Sequence, residues 1–216
     1  MRAEKPFDGE PSNTEERIMR AAYEVLGRHG YGGLSIGRIA EEADLSKSSV
    51  YHFYDDKEDL LVAFLDGMLE WFREQFAQDP EHEPPAALRE QIVTVVTGVP
   101  PGAPDPVADD AVPFGPFLEL RAHAVTDPAF RERFTTLDAL FKRELTDVIE
   151  RGIETGTFRP VDPDRTAELL LTLLMGVVLR RSTADGLDAD ALVAEIERLL
   201  EAYLYAEDRE APDGAQ

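Results

Sequence analysis

The sequence has no cysteine and very little lysine. Only four of its 216 residues are lysines, and arginine supplies the other 18 of the 22 basic side chains. The lack of cysteine excludes disulfides and thiolate metal sites, and it fits a reducing compartment. The longest apolar run, Leu169 to Leu179, is too short to span a bilayer, and the polar start is unlike a secretory signal. We therefore expect a cytoplasmic protein without a membrane partner.

Positive charge is scarce throughout the chain. Its 44 acidic residues outnumber 22 basic ones, for a formal charge of −22. An acidic surface short of lysine is typical of proteins that stay soluble in molar salt, so we expect a halophilic protein rather than an ordinary acidic one. Because acids are everywhere, neighbouring carboxylates carry no information about catalysis or metals. With four scattered histidines and no glycine-rich phosphate loop, the sequence favours no enzyme, cofactor or metal site.

Helical periodicity runs through almost all of the chain, and no stretch alternates as a strand would. We therefore predict an all-α fold of nine helices, at about 14–29, 35–43, 46–53, 56–76, 86–96, 117–125, 128–155, 163–183 and 188–205. The first three form a helix-turn-helix domain at 1–60, which includes a flexible N-terminal arm. A helical bundle at 61–205 follows, with a proline-rich loop at 98–116 and a polar tail at 206–216.

The stretch from 35 to 58 carries the functional signal. Two of the four lysines, Lys47 and Lys57, start predicted helices. A cation there opposes the helix dipole, so an external phosphate explains it better than stability does. In a helix-turn-helix, one helix lies in the major groove and helix starts hold phosphates. The predicted DNA contacts are Ser35, Arg38, Ser46, Lys47, Ser49, Tyr51, His52 and Lys57.

Several of these side chains could instead cap helices, pack in the core or lie in solvent. Ser35 and Ser46 are also suitable helix caps. Tyr51 could pack in the core instead of meeting DNA, and Arg38 could be an ordinary solvated arginine. We place Phe53 in the small core between the helices, which leaves His52 for the DNA side.

The stretch from Thr14 to Leu65 resembles the TetR family of transcriptional regulators. The likeness rests on Leu34 to Ala40, on Leu45 to Lys47 and, most specifically, on Val50 to Glu58. Two residues depart from glycines that are common in the family. Aspartate at position 44 tolerates the left-handed backbone of a tight turn, so the turn should survive. Serine at position 48 could alter how closely the backbone approaches DNA.

The resemblance implies a homodimer that binds a double-stranded DNA operator, as a repressor released by a small molecule. It also implies a variable C-terminal domain for ligand binding and dimerisation. Apolar and aromatic side chains there suggest a hydrophobic or mixed-polarity effector, although each of them alone is more often a core residue. The candidate pocket residues are Trp71, Phe117, Leu120, His123, Phe134, Phe141 and Met175.

The last two helices are the predicted dimer interface, because the helix containing 169–179 is apolar nearly all round and must be covered on two sides. A fully buried helix of a monomer is the alternative. The predicted interface residues are Leu170, Leu174, Val177, Val178, Leu192, Ile196, Leu199, Leu200 and Tyr203.

The net charge argues against DNA binding in dilute buffer, because phosphates would repel a chain of charge −22. At 1 M salt the Debye length falls to about 3 Å, so only near contacts matter. We therefore expect DNA binding that improves in molar KCl. The alternative is a protein of the same fold that binds a protein or metabolite without reading DNA.

Overall fold

The computed structural model describes Phe7 and residues 10–75, 83–97 and 114–206, with the backbone alone at 72–75 and 114–116. Within these ranges the chain forms nine α-helices, and its only extended pairing is a bridge between Phe158 and Tyr205. The all-α prediction is confirmed. The helices are α1 (Thr14–Gly33), α2 (Ile36–Glu42), α3 (Lys47–Val50), α4 (Lys57–Gln75), α5 (Pro84–Thr97), α6 (Phe114–His123), α7 (Pro128–Thr155), α8 (Pro163–Thr183) and α9 (Ala189–Tyr203).

Local sequence signals set many of the helix ends. Six N-terminal caps accept the backbone N–H three residues further on, which satisfies a donor that the helix itself leaves free. These caps are Asn13, Ser35, Ser46, Asp56, Asp162 and Asp188. Prolines at 128 and 163 open α7 and α8, where a missing N–H costs nothing. No helix in the described ranges is long and apolar enough to cross a membrane.

The described residues group into two compact units. The first contains α1 to α4, α6 and α7 as far as Leu140, and the second contains α5, α7 from Phe141 onward, α8 and α9. The predicted domain boundary after residue 60 falls inside α4, whose Leu60, Leu61 and Phe64 are buried in the first unit. Most of the predicted loop at 98–116 and of the tail at 206–216 lies outside the described residues.

The second unit has its own apolar core, drawn from α5, α7, α8 and α9. Its tightest approach is between Gly152 on α7 and the buried ring of Phe158. A Cβ built on Gly152 would lie 2.0 Å from that ring, so no side chain fits at this position. The Phe158 N–H donates to the Gly152 carbonyl at 2.8 Å, and the Phe158 ring stacks on Tyr205. These contacts fix the turn that leads from α7 towards α8.

Candidate nucleic-acid interface

The turn between α2 and α3 depends on one left-handed residue. Asp44 has a φ of 51°, a conformation that aspartate tolerates better than most residues. The Leu45 N–H closes the turn on the Ala40 carbonyl at 2.8 Å. Arg17 on α1 donates to the Ala43 carbonyl at 2.6 Å, which ties the turn to the first helix. The expectation that aspartate preserves this turn is confirmed.

A small apolar core under the turn holds the motif together. Ile18 of α1, Ile39 of α2, Val50 of α3 and Leu60 of α4 are all fully buried. Each helix of the motif therefore contributes at least one side chain to a shared centre. Because α3 has only four residues, this packing rather than helix propensity fixes its direction.

The aromatic residues after α3 lie differently from the prediction. Phe53, expected in the core, is 42% exposed, while Tyr54 is 5% exposed. The Tyr54 hydroxyl donates to Glu15 at 3.4 Å, so the polar tip of the buried ring has a partner. Burial raises the pKa of Tyr54, which keeps this hydroxyl a donor. Phe53 is thus a surface residue of the motif, and two adjacent aromatic residues gave no sequence signal for which one faces inward.

The start of α3 presents a group of hydroxyls. Ser46 accepts the Ser49 N–H at 3.1 Å, and its Oγ lies 2.7 Å from that of Ser48 and 2.8 Å from that of Ser49. Tyr51 and His52 follow directly and are exposed. Hydroxyls, phenols and imidazoles can hydrogen-bond to phosphates and base edges. Of the predicted DNA contacts of α3, Ser46, Lys47, Tyr51 and His52 are therefore exposed, and Ser49 is half-buried.

Lys47 is an exposed cation with no acidic partner among the described residues. Its side chain lies across the first turn of α2, where a Cβ built on Gly37 would meet Lys47 Cε at 2.9 Å and Nζ at 3.1 Å. Lys142 is different, because its ammonium lies 2.9 Å from Asp164 and 3.1 Å from Glu168. Lys47 is thus an exposed lysine without an ion pair among the described residues, in a chain with twice as many acids as bases.

Ser35 and Arg38 stand at the start of α2. Ser35 Oγ accepts the Arg38 N–H at 3.3 Å, and the Arg38 guanidinium donates to the Gly33 carbonyl at 2.6 Å. A Cβ built on Gly37 would lie 3.9 Å from Ser35 Oγ, beside the point that Lys47 approaches. Ser35 and the end of Lys47 thus both lie near Gly37, while Arg38 turns towards the end of α1.

Lys57 differs from Lys47 because its side chain contacts another residue of the first unit. Its ammonium is 3.7 Å from the centre of the Tyr31 ring and donates to the Tyr31 carbonyl at 3.3 Å. Burial lowers the pKa of Lys57, and the His123 ring of α6 lies 3.8 Å from the Tyr31 ring. A phosphate would compete with these contacts, so the two lysines that the sequence suggested as a pair are not equivalent.

A carboxylate ties α6 to the end of α1. Glu119 accepts the Tyr31 N–H. Gly30 has a φ of 62° and leaves room for this contact, since a Cβ there would lie 2.9 Å from Glu119 Oε2. The end of α1 therefore contacts α4 through Lys57 and α6 through Glu119 and His123. Sequence reasoning missed Glu119 and Tyr31, because no local pattern brings residues so distant in the chain together.

The seven predicted pocket residues are divided between the two units. Phe141 and Met175 pack against the core of the second unit. In the first unit, the Phe117 and Phe134 rings lie 5.2 Å apart and Leu120 is fully buried. The first unit holds Trp71, Phe117, Leu120, His123 and Phe134. Their packing explains their apolar character without a ligand, and the effector site stays a prediction.

The structure corrects the predicted apolar surface of α8 and α9. Leu199 and Tyr203 are exposed, and Leu192 is partly buried. Leu169 and Leu179, which are not among the predicted interface residues, are also more than half exposed. An all-round apolar helix does not show which face turns outward. The predicted interface residues that instead lie buried within their own chain are Leu170, Leu174, Val177, Val178, Ile196 and Leu200.

Two protein-family profiles match separate parts of the chain. Residues 18–64 match bacterial regulatory proteins of the tetR family. Residues 114–205 match the C-terminal region of BetI-type transcriptional repressors. The first match contains the whole helix-turn-helix, and the second runs from α6 to the end of α9.

Known proteins are similar over most of the chain. A TetR transcription regulator from Haloarcula marismortui, of known crystal structure, is 32% identical with a TM-score of 0.74, covering 90% of this chain and 100% of that one. The HTH-type transcriptional repressor AcnR of Corynebacterium glutamicum is 25% identical over 174 residues, which are 80% of this chain and 84% of that protein. A regulator from Saccharomonospora viridis, crystallised with choline, has a TM-score of 0.74 over 91% of this chain and 100% of that one; its 19% identity shows the fold alone.

These likenesses extend well beyond the helix-turn-helix that first suggested the family. The Haloarcula regulator shares about a third of its residues with this chain and nearly all of its length. The resemblance seen in the sequence is confirmed, and the chain belongs to the TetR family of transcriptional regulators, which act by binding DNA.

Proposed function

We propose that the protein is a homodimeric repressor that places α3 in the major groove of a double-stranded DNA operator. The observation that carries this proposal is Lys47, an exposed cation without an acidic partner in a chain of charge −22. Similar proteins named as repressors, such as AcnR, favour repression over activation. Binding to chromosomal DNA would place the protein in the cytoplasm.

The proposal gives a role to each predicted DNA contact at the starts of α2 and α3 and along α3. In a helix-turn-helix, the first helix crosses the DNA backbone while the second lies in the groove. Lys47 and Ser35, at the starts of α3 and α2, are then the phosphate contacts. Ser49, Tyr51 and His52 lie further along α3 and its last turn, where side chains meet base edges.

Selection from fragmented genomic DNA, followed by footprinting of the selected fragments, tests the proposed operator binding. We expect two protected half-sites related by two-fold symmetry, with centres about one DNA turn or slightly more apart. Working from genomic fragments removes any assumption about where the operator lies. A folded protein that protects no fragment at any salt concentration would support the alternative, a protein of this fold that binds a protein or metabolite instead.

The proposed dimer partner covers the exposed apolar faces of α8 and α9. Leu169 and Leu179 on α8, and Leu199 and Tyr203 on α9, are all more than half exposed. Gly176 lies on the same side of α8, and a Cβ built there would meet nothing within 4 Å. Glycine within a helix costs about 1 kcal/mol relative to alanine. Its presence here is explained if a partner helix approaches closely.

Gly176→Arg should therefore convert the dimer into a monomer. The protomer has open space at this position, so the fold should remain, while an arginine would separate the two helix pairs and bring a charge into an apolar interface. Size-exclusion chromatography with light scattering measures the mass. Gly27→Arg is the matched control, since a Cβ on Gly27 of α1 also meets nothing within 4 Å. A Gly176→Arg protein with the mass of two chains would contradict this interface.

The proposed effector, a small hydrophobic or mixed-polarity molecule, would act through α6. Glu119 and His123 on α6 both contact Tyr31 at the end of α1. Tyr31 in turn holds Lys57 at the start of α4. A ligand that favours another position of α6 would therefore disturb two helices of the DNA-binding part. The ligand can change operator affinity only as far as it binds one position of α6 more tightly than the other.

A further inference from the structure

We propose that Gly37 is a positioning residue for DNA binding. Because it has no side chain, it leaves room for the end of the Lys47 side chain to lie over the first turn of α2. This inference rests on the proposed contact between Lys47 and DNA, and it adds the residue that sets the direction of that lysine.

Distances at Gly37 show how little room there is. A Cβ at this position would lie 2.9 Å from Lys47 Cε and 3.1 Å from Lys47 Nζ. Separations below 3.0 Å are essentially never seen for real Cβ atoms, so the lysine would have to move. Ser35 Oγ lies 3.9 Å from the same point. Ser35 would thus be in ordinary contact with the added atom, whereas the end of Lys47 would be displaced.

Backbone conformation does not explain this glycine. Gly37 lies within α2, and it is not among the described glycines with positive φ, which are Gly30, Gly156 and Gly186. Alanine would fit the helical backbone and favour the helix more. The remaining structural reason is space, and the first group that uses the space is the end of the Lys47 side chain.

A lysine resting on α2 is better prepared to bind than one extended into solvent. A free lysine loses much rotamer freedom when its ammonium is fixed. Here Lys47 Cε and Nζ both lie close to Gly37, while the lysine as a whole stays exposed. Part of the ordering has thus taken place before DNA arrives, which lowers the entropic cost of the phosphate contact.

A double-mutant cycle tests the inference on the whole protein. Gly37→Ala, Lys47→Ala and the double variant are titrated against a fluorescein-labelled duplex carrying the footprinted sequence, at one KCl concentration. Gly37→Ala should weaken binding about threefold to tenfold when Lys47 is present. In the Lys47→Ala background the same change should alter affinity by less than about twofold, because the group it displaces is gone. The thermal midpoint should stay the same or rise.

The control is Gly27→Ala, which makes the same change at an open position of α1 and should leave affinity unchanged. If Lys47→Ala weakens binding and Gly37→Ala does not, the inference fails and DNA binding by Lys47 stands. An equal loss in both backgrounds also overturns it, since the added methyl group would then obstruct DNA itself. If neither the wild type nor any variant binds, the proposed function fails instead.

Discussion

Lys47→Ala should weaken operator binding about a hundredfold, because each of the two lysines in a dimer should contribute about tenfold to the affinity. The change removes a charge-assisted contact to phosphate at the start of α3. It leaves no carboxylate unpaired among the described residues, because Lys47 has no acidic partner there. Stability should therefore change little. Fluorescence anisotropy on the footprinted duplex measures the affinity, and circular dichroism follows the fold.

Lys142→Ala is the matched control for this prediction. It removes the same charge from the second unit, where Lys142 is bound to Asp164 and Glu168. Surface ion pairs of this kind contribute little to stability. We expect its operator affinity to equal that of the wild type. Equal losses from the two substitutions would mean that overall charge, rather than a contact at α3, governs binding.

Operator affinity should rise between dilute buffer and molar KCl, opposite to the usual behaviour of DNA-binding proteins. Most such proteins lose affinity as salt increases, because binding releases counterions from DNA. Here a chain of charge −22 is repelled by the phosphates, and that repulsion acts over a Debye length of about 10 Å at 0.1 M salt. At 1 M the length is about 3 Å, so the repulsion is screened while close contacts such as that of Lys47 remain. This behaviour is what the proposed halophilic character requires.

A titration at several KCl concentrations checks the direction of the effect. Glu41→Gln gives an internal comparison, because Glu41 is an exposed acid on α2 within the helix-turn-helix. The variant should bind more tightly than the wild type in dilute buffer, and the two should converge in molar KCl. A steady loss of wild-type affinity with rising salt, or a Glu41→Gln advantage that persists in molar KCl, would contradict the account.

Signals within a few residues predicted much of the fold. The bounds of α7 and α8 were predicted correctly, because Asp127-Pro128 and Asp162-Pro163 combine a capping side chain with a proline in the first turn. Features that depend on the third dimension were not predictable in this way. One such feature is the burial of Tyr54 in place of Phe53. The hydroxyl of Tyr54 has its partner in Glu15, which lies 39 residues away in the chain.

The outward face of α8 was uncertain for a similar reason. In a helix where nearly every position is apolar, the sequence does not distinguish the side chains that pack inside from those that face a partner. The predicted interface therefore includes Leu170 and Leu174, which the chain buries, and omits Leu169, which is exposed.

The candidate site was easier to find than its supporting contacts. Lys47 stood out because lysine is so rare in this chain, and the structure leaves it exposed. Lys57 stood out equally, but its contact with Tyr31 could not be read from the sequence, because the two lie 26 residues apart. The space that Gly37 leaves for Lys47 also exists only once α2 and α3 have packed together.

The most direct test of the central claim is the anisotropy of the labelled operator duplex in molar KCl, with the wild type and Lys47→Ala measured in the presence of excess unrelated DNA. We expect the wild type to bind tightly despite the competitor and Lys47→Ala to lose that binding. A folded, dimeric wild-type protein that does not distinguish the operator from the competitor, or a Lys47→Ala variant that binds as well as the wild type, would contradict it.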